Sequence, residues 1–213
     1  EEMLTNLGRL VAIDSQLGTP AEGKPFGDGP AAALQYFLDL GAKLGFKVEN
    51  FDNYAGTIEF GEGEEVVGIL GHVDVVPEGD GWIYPPYSGT IADGKIFGRG
   101  TLDDKGPSMI CLYAMKAIMD SGVKLNRKVR MIIGANEETG SLCMEHYFNT
   151  LKMPQPTMAF TPDSSFPVTF AEKGIIRVKF TQEYKNLEGF SFAGGNAFNS
   201  VPDGAKAVIP QEF

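Results

Sequence analysis

One pattern constrains this chain more than any other: a short apolar run that stops on a polar motif, three times over. Val66-Val67-Gly68-Ile69-Leu70 has the length and branched side chains of a buried strand, and Gly71-His72-Val73-Asp74 follows at once. Lys128 to Gly134 is a second such run, and Asn136-Glu137-Glu138-Thr139-Gly140 comes directly after it. Thr157 to Thr161 is a third, just ahead of Pro162-Asp163-Ser164. Short apolar runs bounded by turn residues suit strands buried on both faces.

Between these runs the period becomes helical. An opening helix is expected over Leu4 to Ile13. A second spans roughly Ala31 to Leu44 and ends at Gly45, as a C-terminal glycine stop should. Pro107 opens a third that runs to about Asp120, with Met109, Leu112, Tyr113, Lys116 and Ala117 at helical spacing and Gly122 ending it. Ser141 to Asn149 reads as a fourth. Lys47 to Phe51 and Thr57 to Phe60 read as strands around a turn at Asn53 to Gly56, and Gly81 to Gly100 as loop with a short hairpin. Strands alternating with helices predict an α/β fold, with a mixed, largely parallel central sheet flanked by helices. Ligands of such sheets gather beyond the carboxyl ends of the strands, where the polar motifs fall. After Ala171-Glu172-Lys173-Gly174 the character changes: Ile175 to Phe180 alternates like a strand and Gly194 to Pro202 is loop-like. A domain boundary is therefore expected near 175.

Composition narrows the function. A content of 43% hydrophobic and 22% charged residues suits a packed core rather than disorder. The net charge of −10 argues against nucleic acid, whose phosphates need a basic surface. No apolar run approaches the ~20 residues that span a bilayer, so no membrane partner is expected. No leader is legible at the start, although the chain opens on Glu1 rather than Met and a few residues are expected to precede it. Cys111 and Cys143 stand far apart on separate predicted helices, without the paired spacing of a disulfide or zinc framework. They are expected to be reduced, which points to the cytoplasm.

Four clusters carry the candidate chemistry. In Gly71-His72-Val73-Asp74, residues i and i+2 of an extended backbone point the same way, so Asp74 is placed to orient the His72 ring. The pair alone reads equally well as a hydrogen-bonded structural histidine. In Gly98-Arg99-Gly100-Thr101-Leu102-Asp103-Asp104-Lys105-Gly106-Pro107, adjacent aspartates in a tight turn repel unless a cation or a helix N-terminus offsets them. A solvated turn with a capping aspartate is the plainer alternative. The order of Lys105, Gly106 and Pro107 does not make a phosphate loop. Glu137-Glu138 at one strand end invites a division of labour, one acid on a metal and one as general base; a surface pair of acids is the alternative. Asp163 alone would be unremarkable.

Taken in order, Gly71-His72-Val73-Asp74-Val75-Val76-Pro77, Gly98 to Gly106 and Glu137-Glu138-Thr139-Gly140 resemble the successive signature motifs of the M20 family of metallopeptidases. That family includes dipeptidases, aminoacylases and succinyl-diaminopimelate desuccinylases. Trp82-Ile83-Tyr84-Pro85-Pro86-Tyr87-Ser88-Gly89 and the Thr-Leu-Asp-Asp-Lys-Gly-Pro wording are most similar to the dipeptidase V branch. The resemblance implies two divalent metal ions, zinc first, with manganese or cobalt as substitutes. It implies His72 and Asp163 as ligands of one ion, Glu138 of the other, Asp103 as a bridge, and a cis Asp103–Asp104 peptide. Glu137 would be the general base toward a metal-bridged water, Asp74 the partner of His72, and Asn199 a substrate contact. The implied reaction is hydrolysis of a dipeptide or other small amide, with an N-acyl amino acid deacylase or desuccinylase as the alternative.

The same resemblance makes 1–175 the N-terminal part of the catalytic, metal-binding domain and 176–213 the start of a smaller α+β lid domain, through which a homodimer would form. The family completes its second metal with a histidine far along the chain. Here only His72 and His146 are present, and His146 does not match that position. These residues are therefore expected to be the N-terminal portion of a longer enzyme, with little or no peptidase activity by themselves. A non-catalytic metal-binding fragment is the remaining alternative.

Overall fold

A computed structural model describes residues 1–213 except 175, 177, 184–187, 196–200, 203 and 211–213. The chain forms two compact units, Glu1–Phe166 and Pro167–Phe213, against an expected boundary near 175.

The first unit opens with helix α1 (Glu2–Val11), whose Leu7, Leu10 and Val11 recur at helical spacing and are all buried. Helix α2 (Asp28–Lys43) buries Leu34, Phe37 and Leu38 in the same way. It stops where Gly45 takes φ +96°, a left-handed conformation that costs glycine nothing. Strands β1 (Lys47–Phe51) and β2 (Ala55–Phe60) form a hairpin, and β3 (Val66–His72) follows. β4 (Thr90–Ala92) and β5 (Lys95–Phe97) form the short hairpin expected within the loop from Gly81 to Gly100. Helix α3 (Lys105–Asp120), β6 (Lys128–Gly134), a helical segment and β7 (Met158–Phe160) complete the unit.

The central sheet has the order β1-β2-β6-β3-β7. β3 pairs in parallel with both β6 and β7, whereas β1–β2 and β2–β6 are antiparallel. Only β2 therefore runs against the other strands, which gives the mixed, largely parallel sheet that the alternation predicts. Helices α1, α2 and α3 cover one face, packing Leu10, Phe37, Met109 and Leu112 on Ile58, Ile69, Met131 and Ile133. Each such fully buried side chain contributes roughly 1.5–3 kcal/mol. Ile132, which alternation turns to the opposite face from Met131 and Ile133, joins Phe51, Ala55 and Tyr147 in a smaller cluster.

The predicted helix over 141–149 is divided. An α-helical stretch, α4 (Leu142–Glu145), passes into a π-helical turn (His146–Thr150). The turn widens where His146 stacks on Tyr54 and bonds Asp52, while Tyr147 seats edge-on against Phe51. Tertiary contacts here override the simple helical period.

In the second unit, β8 (Ser191–Gly194) and β9 (Ala205–Val208) form an antiparallel pair. Of the run expected as a strand over 175–180, Ile176 and Val178 to Phe180 carry no strand. Among the described residues, no helix is long and apolar enough to cross a membrane.

Candidate metal centre

The sheet register brings the polar motifs together. His72, the last residue of β3, pairs with Gly134, the last residue of β6. Glu137 and Glu138 therefore emerge just beyond His72. On the other side Ile69 pairs with Phe160, so three residues further along each chain bring His72 level with Asp163. The separation of His72 Nε2 from Asp163 Oδ2 is 3.5 Å, and from Glu137 Oε2 it is 4.0 Å. From the fourth direction comes the loop before α3, which places Asp103 Oδ1 at 3.1 Å from the same nitrogen. Three segments far apart in sequence thus converge on the imidazole carried by a fourth.

That imidazole is held from behind. His72 is 2% exposed, and its Nδ1 lies 3.1 Å from the Asp74 carbonyl oxygen and 3.3 Å from Asp74 Oδ1. Asp74 lies against the ring, as the two-residue spacing leads one to expect, and its carboxylate makes further contacts. Its Oδ1 accepts the backbone N–H of Glu137 at 2.9 Å and its Oδ2 that of Glu138 at 3.1 Å. One buried carboxylate thereby fixes the histidine ring and both glutamates that face it.

The loop carrying Asp103 is fastened just as firmly. The Asp103–Asp104 peptide is cis, as the resemblance implies. Asp104 is fully buried, and its Oδ2 accepts the backbone N–H of His72 at 3.1 Å and the Ser108 hydroxyl at 2.7 Å. Gly71 has to be glycine for this: a Cβ there would lie 2.2 Å from Ser108 Oγ and 2.8 Å from Asp104 Oδ2. Lys105, also fully buried, donates to the carbonyls of Leu10 and Ile13 at 3.1 and 2.7 Å. Burial pushes its ammonium down to about 8. The first turn of α3 faces the aspartates, and its dipole offsets part of their charge.

The electrostatics are those of a cation site. Burial alone would disfavour a charged His72, but hydrogen bonds to Asp103 and Asp74 outweigh it and push the ring up to about 12. The His72 contact in turn lowers Asp103 against the effect of burial. Burial raises Glu137, and burial together with the charge on Asp103 raises Glu138 to about 7. Acids that hold their protons this strongly lack sufficient opposing charge. Two trios, His72–Asp103–Glu138 and His72–Glu137–Asp163, each bring their ligand atoms within 4.8 Å of one another. Imidazole nitrogen with carboxylate oxygens is a donor set that suits zinc and accepts manganese or cobalt. The residues fit a divalent cation.

His146 is engaged elsewhere, with Nε2 3.0 Å from Asp52 Oδ2. Asn199 lies outside the described residues. Sequence reasoning assigned no role to Asp104 beyond its peptide bond, and none to Ser108 or Ser15. Their only signal was a polar residue inside a motif or beside an apolar run, which is indistinguishable from a turn or cap.

Known proteins share this arrangement of elements. Residues 68–180 match Peptidase family M20/M25/M40, a stretch that contains every residue of both trios. The chain is 44% identical to "Putative dipeptidase YtjP" of Bacillus subtilis, over 98% of this chain and 46% of that protein. It is 40% identical to a "Putative dipeptidase" of Staphylococcus aureus with the same coverage. It thus spans about half the length of the curated relatives it matches. Among solved structures, human carnosine dipeptidase 1 superposes with a TM-score of 0.60 at 28% identity, covering 71% of this chain and 35% of that one. An M20 family metallo-carboxypeptidase from Sulfolobus solfataricus superposes with a TM-score of 0.62 at 26% identity, covering 76% and 37%. With the family match extending over more than half of its residues, and the same fold in these neighbours, the chain belongs to Peptidase family M20/M25/M40.

Proposed function

We propose that this chain carries the metal-binding and general-base residues of a metal-dependent dipeptidase. One observation supports the reading above the rest: Asp103, Glu137, Glu138 and Asp163 converge on the single buried imidazole of His72. The names of the bacterial relatives favour a dipeptide over an N-acyl amino acid as substrate.

One imidazole nitrogen serves one ion. In this reading His72 Nε2 and Asp163 would hold the first and Glu138 the second, and Asp103 would serve both. Bound divalent cations supply Lewis acidity, which makes water a usable nucleophile near neutral pH and offsets charge that develops on the scissile carbonyl oxygen. Glu137 then accepts the proton that the attacking water gives up and passes it to the departing amine. Burial and the neighbouring acids raise its proton affinity above that of an ordinary glutamate, the direction that a general base needs. Asp74 keeps His72 in the tautomer with the proton on Nδ1, so that Nε2 presents its lone pair.

Elemental analysis after reconstitution with zinc or manganese tests the reading. The wild-type chain should retain metal, His72→Ala should lose it, and Glu137→Gln should keep it. Dipeptide hydrolysis, measured with any coding sequence that follows Phe213 included, should vanish in Glu137→Gln. A folded wild-type chain that retains no metal would refute the assignment.

A further inference from the structure

The family match begins at residue 68, yet the metal centre is tied to a segment far upstream of it. The chain between the end of α1 and the following loop, Leu10 to Gln16, touches two of the segments that build the site and the loop that follows one of them. Ser15, fully buried, donates its hydroxyl to the Val73 carbonyl at 2.6 Å, and its own carbonyl accepts the Val75 N–H at 3.2 Å. Val73 lies between His72 and Asp74, so these two bonds hold the backbone on both sides of Asp74. Buried Lys105, two residues after Asp103, donates to the Leu10 and Ile13 carbonyls. Gln16 bonds Glu78 Oε2 at 2.7 Å and the Tyr87 hydroxyl at 2.8 Å, which fastens the loop after the His-x-Asp turn.

We infer that Leu10–Gln16 is a strap that positions the metal centre, with Ser15 and Lys105 as its two positioning residues. The inference rests on the metal reading above. Its physical basis is that two fixed backbones meet on one short segment. Ser15 sets the height of the His72–Asp74 turn, and the carbonyls of Leu10 and Ile13 set the height of the Asp103 loop. A change in the strap alters the separation of His72 Nε2 from Asp103 Oδ1 without touching either ligand. The same donors satisfy backbone carbonyls at the end of α1 and beside His72, so the test needs a readout that capping alone leaves unchanged.

Cobalt(II) is the probe, since its visible spectrum reports ligand geometry and its titration gives affinity. The spectrum is recorded where each variant is fully folded by circular dichroism, so that a loss of stability alone leaves it unchanged. Ser15→Ala should shift the cobalt bands and weaken cobalt binding by roughly tenfold, the lower end of the effect of outer-layer partners of metal ligands. Lys105→Met should do the same or more. Should Lys105→Met fail to fold, Ser15→Ala decides alone. Wild-type spectrum and affinity in Ser15→Ala, with binding abolished in His72→Ala, would overturn the strap and leave the metal centre standing. No cobalt binding by the wild-type chain would instead remove the metal centre itself, and the strap's role with it.

Discussion

Asp74→Asn is the most informative single substitution, because it keeps shape and volume while removing one of the acceptors on which two glutamates hang. Asp74 is 3% exposed and accepts the N–H groups of both Glu137 and Glu138. In the variant one carboxylate oxygen becomes an amide NH2. Whichever way the amide turns, it presents a donor to one of the two backbone donors. The loss of a hydrogen bond to a charged group costs about 1.5–3 kcal/mol, and the stranded backbone N–H adds about 1–3 kcal/mol where water cannot reach it. Partial relaxation of the Glu137–Glu138 turn recovers some of this, so a loss of about 3 kcal/mol is expected. That is a large share of the 5–15 kcal/mol typical of a domain, yet small enough for the protein to remain folded. The turn would then present Glu137 and Glu138 less firmly, and metal affinity should fall by about 10–100-fold. Urea unfolding with an unchanged slope measures the first quantity and calorimetric zinc titration the second. Stability within about 0.5 kcal/mol of wild type, together with unaltered zinc affinity, would refute the claim that one carboxylate organises both sides of the centre.

Gly71→Ala should cost about 1–3 kcal/mol, because the new methyl meets Ser108 Oγ and Asp104 Oδ2 and nothing around it is free to yield; urea unfolding checks this, and a neutral result would mean that the Asp104 anchor is slack. For pH, Glu138 is the group to follow in chelator-treated protein. Its folded value, about 7, lies above the ordinary glutamate value, so its contribution to stability is present below about pH 4.5 and is lost as pH rises through 7. Stabilisation by added zinc should therefore grow over the same window, and Glu138→Gln should flatten that slope in thermal melts. Glu59 has the opposite sign: burial would raise it, but hydrogen bonds from Arg130 and Lys128 hold it below the ordinary value. Its contribution is present above the ordinary glutamate value and is lost as pH falls through the lowered one. Glu59→Gln should cost about 1 kcal/mol at neutral pH and soften the acid limb of the stability curve.

Period and punctuation made the architecture legible. Lys47 to Phe51 and Lys128 to Gly134 are strands over the residues that their apolar pattern indicates. Gly45 and Gly122 end their helices because left-handed backbone is cheap only for glycine. The position of the site was legible too, since polar motifs after buried strands can only project beyond the sheet's carboxyl edge. Pairing was not. Nothing in the runs over 66–70 and 128–134 says that they lie side by side with His72 opposite Gly134, because strand register depends on long-range packing. The π-helical turn after Glu145 escaped for the same reason, being set by Tyr54, Asp52 and Phe51, about 90 residues earlier in the chain. The supporting residues of the site were hidden by chemistry that is locally ordinary. A serine bonded to a carbonyl, such as Ser15, looks like any turn serine until the strand it bonds to is known.

On the proposed reading, metal binding is coupled to folding. The residues proposed to hold metal come from four segments, and most are fastened by bonds that exist only in the folded chain: His72 by Asp74, Asp103 through its neighbours Asp104 and Lys105, and the two glutamates by Asp74 again. An unfolded chain has no preformed site, so metal-binding free energy becomes folding free energy. The cost is carried by the carboxylates, whose mutual repulsion in a partly buried cluster opposes folding as they ionise. Zinc should therefore raise the unfolding temperature steeply with concentration, and the increment should shrink when any one fastening bond is cut, even with every ligand candidate intact. Asp74→Asn and Ser15→Ala both meet that description. If zinc stabilised both variants as strongly as the wild type, the ligands would be finding the ion unaided, and the buried network around them would serve the fold alone.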